Sequence, residues 1–120
     1  MTAAVTYLTV SGPYGHYTIE AVVDPDETFT RIPAPALIEL GIEPHRVARV
    51  HCADGKVQFR QLGRALTTVE GQEDVTPVLF GAPGEPAVVG ATTLSILLLR
   101  WDAEAGRLVS VEAQSGQVAG

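Results

Sequence analysis

Three carboxyl groups fall within four residues of this chain, at Asp24, Asp26 and Glu27, directly after the apolar-rich run Ile19-Glu20-Ala21-Val22-Val23. Clustered carboxylates are the ligands of hard cations such as calcium or magnesium. The same residues, as Asp24-Pro25-Asp26, are also ordinary turn chemistry, because acidic side chains bond their own backbone and proline presets a bend. On residue types alone a solvated acidic turn is favoured over a cation site. A second group of reactive types is His51-Cys52-Ala53-Asp54. A closed zinc site needs four ligands, and no second Cys/His pair exists in the chain. On a strand His51 and Cys52 point to opposite faces, so both read as strand residues. His16 and His45 are isolated and read as surface residues. Gly81 to Gly90 lacks the Lys-Ser/Thr of a phosphate loop, and no cofactor or metal is expected.

The elements that would position these groups are short. Val5 to Val10 alternates with a two-residue period, Ser11-Gly12-Pro13 with Gly15 makes a turn, and His16 to Val23 returns with Tyr17, Ile19, Ala21 and Val23 on one face. This hairpin presents Asp24 at a strand end. Pro33-Ala34-Pro35 followed by Ala36 to Leu40 and Gly41 reads as one or two helical turns, with proline at the start and glycine at the stop. Asp54-Gly55 between β-rich runs is a hairpin signal. Val57 to Arg60, Ala65 to Val69 and Val75 to Phe80 read as strands, with a turn at Gly71-Gln72-Glu73-Asp74 and a loop from Gly81 to Pro86. Ala87-Val88-Val89 reads as a buried strand, followed by a short helix starting near Thr92 and a hairpin ending at Val111. Many short, closely spaced strands favour a small closed all-β structure over βαβ units.

With 120 residues and 46% apolar content, the chain suits one compact domain over residues 1–113, and the small polar stretch 114–120 reads as a fraying tail. A net charge of −6 leaves no basic stripe for a phosphate backbone, which disfavours nucleic acid. A lone cysteine cannot form an internal disulfide and points to a reducing compartment. Met1-Thr2-Ala3-Ala4 lacks a signal-peptide pattern, and the longest apolar run, Ile96 to Leu99, is too short to span a bilayer. A soluble, cytoplasmic protein is the expectation, with no membrane partner.

The run from Ile19 to Pro33 resembles the active-site loop of the retropepsin-like aspartic proteases. There a strand ends in Asp-Thr-Gly-Ala and continues as Ser/Thr-x-Thr-x-Ile-Pro. Asp24 falls on the catalytic aspartate, while Thr28, Thr30, Ile32 and Pro33 match later positions. Pro25, Asp26 and Glu27 stand where the family has threonine, glycine and alanine. His51 to Lys56 is similar to the family's flap hairpin, and Val88-Val89-Gly90 to the element placed behind the catalytic loop. Thr93-Leu94, Trp101-Asp102 and Arg107-Leu108-Val109 resemble the closing segment, in which Leu97-Leu98-Leu99 replaces Leu-Gly-Leu.

The resemblance implies a closed β-barrel with one short C-terminal helix, acting as a homodimer on a peptide or protein substrate. Asp24 of each copy would form the dyad, and Asp26, Glu27, Ala53, Asp54, Gly55 and Val88 would face the substrate. The altered triplet changes that expectation. Pro25 has no hydroxyl to bond across the dimer axis and no N–H, and Asp26 adds a side chain and a charge where the family has glycine. Two like charges 4 Å apart repel by about 4 kcal/mol at an effective dielectric near 20. Such a cluster would take up protons, splay the loops or bind a cation. The implied activity is therefore an impaired aspartic endopeptidase, with a catalytically silent peptide-binding or dimerising module as the alternative.

Overall fold

A computed structural model describes residues 4–116. Strand β1 (Val5–Gly12) turns Thr6, Leu8 and Val10 inward and pairs antiparallel with β2 (Gly15–Val23) across a two-residue loop, Pro13-Tyr14. Strand β3 (Thr30–Pro33) leads into helix α1 (Ala34–Glu39), where proline in the first turn forgoes an N–H that would have no intrahelical partner. The helix stops at Gly41, whose φ of 80° reverses the chain. Strands β4 (Arg46–His51), β5 (Val57–Val69), β6 (Gln72–Gly81) and β7 (Val88–Val89) follow, then helix α2 (Ala91–Ile96) and the strands β8 (Leu99–Asp102) and β9 (Arg107–Ser110).

The molecule is mainly β. Seven strands form one sheet in the order β1-β2-β7-β3-β6-β5-β4, and β1 also pairs with β5 from Leu8↔Val69 to Ser11↔Leu66, which partly closes the sheet. The two residues of β7 lie between β2, to which they run parallel, and β3. β8 and β9 make a separate two-stranded sheet. The main core gathers Leu8, Val10, Ile32, Leu37, Val78 and Val89, with Leu94 from α2 and Leu97, the residue that ends that helix. A smaller core of Ala48, Leu62 and Leu79, with Phe29 and Val50 packed on it, sits under one end of the sheet.

The expected hairpins, the two short helices and the buried Val88-Val89 strand are all present. Three details differ. The runs Val57 to Arg60 and Ala65 to Val69 are one strand, continuous through Gly63. The turn expected at Gly71 to Asp74 is tighter, because Val69 pairs with Gln72 and only Glu70-Gly71 lie outside the ladder. The resemblance implied only the C-terminal helix, whereas α1 is present as well, as the proline and glycine around it indicate. Neither six-residue helix is long and apolar enough to cross a membrane. Residues 114–116 are exposed and lie outside any strand, and the remainder of the expected tail, 117–120, lies outside the described residues.

Candidate functional site: an acidic loop facing a β-hairpin

The loop that follows β2 is held at both its ends and from behind. β2 runs parallel to β7, and the Asp24 N–H continues the ladder by donating to the Val89 carbonyl at 3.0 Å. Asp24 Oδ1 then accepts the Asp26 N–H at 3.0 Å, and the Glu27 N–H donates to the Asp24 carbonyl at 3.1 Å. The carboxylate thus shapes its own turn. The first N–H groups of a helix have no intrahelical partner, and here they point into the loop. Ala91 N–H donates to Glu27 O at 2.7 Å and Thr92 N–H to Thr28 O at 2.9 Å. Gly90 is required by this contact, since a Cβ there would sit 2.6 Å from the Phe29 carbonyl and 2.9 Å from Glu27 O.

A run of buried threonines ties the same loop to the sheet. The Gly90 N–H donates to Thr30 Oγ1 at 3.1 Å, and Thr30 donates to Thr93 Oγ1 at 2.6 Å. Thr93 donates to Thr76 Oγ1 at 3.3 Å, Thr76 and Thr67 share a bond of 2.9 Å, and Thr67 donates to the Asp74 carbonyl at 3.2 Å. With every hydroxyl proton assigned, the chain of donors has one direction and ends on backbone, so none of these buried groups is left unpaired.

Opposite the loop stands the β4–β5 hairpin, paired from Arg46↔Leu62 to His51↔Val57. Its turn is closed by the Cys52 N–H on Lys56 O at 2.9 Å and by the Lys56 N–H on Asp54 Oδ1 at 2.9 Å, with Gly55 at a φ of 84°. Between loop and hairpin lies a groove of about 380 Å3, floored by Phe29, Val50 and Leu79. Asp26 and Glu27 line one side, Arg49 and His51 the other, and Arg31 and Arg60 rise from the sheet between them. An adjoining cavity of about 490 Å3 extends it past Cys52, Ala53, Gln58 and Glu85.

The groove is organised by one ion-pair cluster. Arg60 Nη2 lies 2.5 Å from Glu85 Oε1 and also donates to the Phe80 carbonyl at 3.0 Å. Glu85 Oε1 accepts the Ala82 N–H at 2.6 Å as well. The Arg60 hydrogen bond first, then the Ala82 N–H and the charge of Arg31, hold the Glu85 carboxyl below its ordinary range, against a desolvation that pushes it up. Arg31 Nε donates to the Pro86 carbonyl at 3.2 Å, and its Nη1 stands 3.6 Å from Glu85 Oε2.

The residues singled out from sequence are distributed unevenly about this groove. Asp26 and Glu27 line both of its parts, and Ala53 lines the outer one. Asp24 is half-buried at the end of β2, beside the groove rather than in its lining. Asp54 and Gly55 are exposed at the hairpin tip, and Val88 is buried in β7 behind the loop. Among the described residues no group of three or more His, Cys, Asp or Glu side chains is placed to hold a metal ion. Arg31, Arg60 and Glu85 were not foreseen. They come from β3, β5 and the loop after β6, so no spacing in the sequence relates them. Only the order β3-β6-β5 brings the two arginines to one face. No protein-family model matches the chain, and no curated protein matches it.

Proposed function

We propose that this chain is a retropepsin-like aspartic endopeptidase homologue, active as a homodimer, with Asp24 of each copy as the dyad and with activity lowered by Pro25, Asp26 and Glu27. The observation that carries this reading is the placement of Asp24. It closes β2 beside the parallel β7, on a loop clamped by Gly90, Ala91 and Thr92, next to a groove that the β4–β5 hairpin faces. In such a dimer the two carboxylates share a proton, because charges about 3 Å apart resist joint ionisation. One acts as base on the attacking water and the other as acid towards the peptide carbonyl. The Asp26 N–H, 3.0 Å from Asp24 Oδ1, supplies the backbone donor that the family's glycine would offer there. What the loop lacks is the threonine hydroxyl across the axis, which Pro25 cannot replace.

A second reading, a silent peptide-binding or dimerising module, is favoured by Pro25 and by the extra charges of Asp26 and Glu27. Digestion of a denatured protein at pH 4 to 6 separates the two. Slow cleavage by the wild type, reduced about a hundredfold or more in Asp24→Asn, is the expected result. The triple change Pro25→Thr, Asp26→Gly and Glu27→Ala then raises the rate. A folded dimer that cleaves nothing, before or after the triple change, would sink the enzymatic reading and leave the module.

A further inference from the structure

The charge of the groove differs from that of the rest of the molecule. Arg31, Arg49 and Arg60 line it against Asp26, Glu27 and Glu85, a net charge of zero. The chain has 8 Lys and Arg against 14 Asp and Glu, so five stand against eleven elsewhere and the whole −6 lies outside the groove. Within it the two inner arginines are not equivalent. Arg60 is committed, forking onto both oxygens of Glu85 at 2.5 and 3.4 Å and onto Phe80 O at 3.0 Å. Arg31 is anchored at its root through Nε on Pro86 O at 3.2 Å. Its Nη1 stands 3.6 Å from Glu85 and 4.0 Å from Glu27, beyond hydrogen-bond reach of either. The Arg31 side chain is 16% exposed, so it is a mostly desolvated cation in a fixed position. Its nearest alternative partner, Glu27, is 44% exposed and is worth little at that distance.

A guanidinium held in this way matches a carboxylate in a bidentate fork, with strength and directionality that a lysine would not give. We infer that Arg31 is a recognition residue for a carboxylate carried by an extended peptide in the groove, whose apolar stem lies on Phe29, Val50 and Leu79. A singly charged ligand suits the site better than a dianionic phosphate, because Asp26 and Glu27 flank the approach. This inference rests on the groove being the peptide site proposed above, and it adds that the preferred peptide is acidic although the protein is itself acidic.

The test is retention of N-acetylated, C-amidated octapeptide pools on the full-length protein at pH 7. One central position is fixed as Glu in one pool and as Gln in the other, and the retained peptides are read by mass spectrometry. Glu pools are expected to be retained about tenfold more than Gln pools, a difference of about 1.4 kcal/mol. Arg31→Gln should bring that ratio to about one by lowering Glu-pool retention, in a protein whose circular dichroism shows it folded, and Arg31→Lys should restore part of the preference. A third pool, with internal Gln and a free C-terminal acid, separates the two sources of a carboxylate. Preference for it that is lost in Arg31→Gln would keep the recognition and move it to a chain end. Equal retention of all pools overturns the inference alone. A folded protein that retains no peptide of any pool overturns the peptide-groove reading, and the inference with it.

Discussion

Glu70 and Leu98 have φ of 50° and 56°, the left-handed region that side chains other than glycine occupy at a cost of about 1–2 kcal/mol. Glu70 precedes Gly71, whose φ is 75°, in a two-residue hairpin loop with both φ positive, the geometry that Asn-Gly favours. That is why the turn was misplaced in the sequence by a residue or two: Glu-Gly is not an expected turn pair, while Gln72-Glu73-Asp74 resembles one. Replacing Glu70 by Asn gives up only a 3.3 Å bond from Thr6 Oγ1. It should raise stability by about 0.5–1 kcal/mol, read as a higher urea midpoint at unchanged slope; a lower midpoint would count against the strain. The left-handed φ of Leu98 falls directly before β8, and nothing in Leu97-Leu98-Leu99 marks it. Asp24 was the most legible residue of all, since an apolar alternation running into Asp-Pro defines a strand end from local chemistry alone.

At the scale of elements, the hairpins and short helices could be read because their signals are local: alternation, Asp54-Gly55, and proline and glycine around α1. The clamp on the acidic loop was only half legible. Thr30 and Val88-Val89-Gly90 could be picked out, but the threonine chain through Thr93, Thr76 and Thr67 joins residues up to 63 apart in sequence. The Arg31–Arg60–Glu85 cluster was invisible for the same reason. It links β3, β5 and the loop after β6, and its charges make the stability depend on pH. Because the folded Glu85 carboxyl lies below its ordinary value of 4.5, its contribution is fully present above that value and is lost as the pH falls through the lower, folded value. Glu85→Gln should therefore cost about 1–2 kcal/mol at pH 7, a figure reduced for partial exposure. The gap from wild type should narrow as the pH falls below about 4.5. Urea titrations of both proteins at pH 7 and at pH 3.5 check this. A gap that widens on acidification would contradict the assigned role of the cluster.

The whole molecule brings these parts together by partial closure of one sheet. β1 pairs with both β2 and β5, and β7 slots between β2 and β3. Its mainly β character followed from the density of short apolar alternations, whereas the strand order did not, because pairings such as β3 with β6 join segments more than forty residues apart. The groove opens beside Asp24 rather than over it, so in a single chain the carboxylate faces its own turn and not a ligand. A second copy would change its surroundings, and the proposed activity depends on that encounter. The separation of the two Asp24 carboxylates in a crystal of the purified protein is the most direct measurement of it. A two-fold dimer with these groups about 3 Å apart is the predicted result. A monomer, or an assembly that leaves each Asp24 remote from its twin and open to bulk water, would contradict the account.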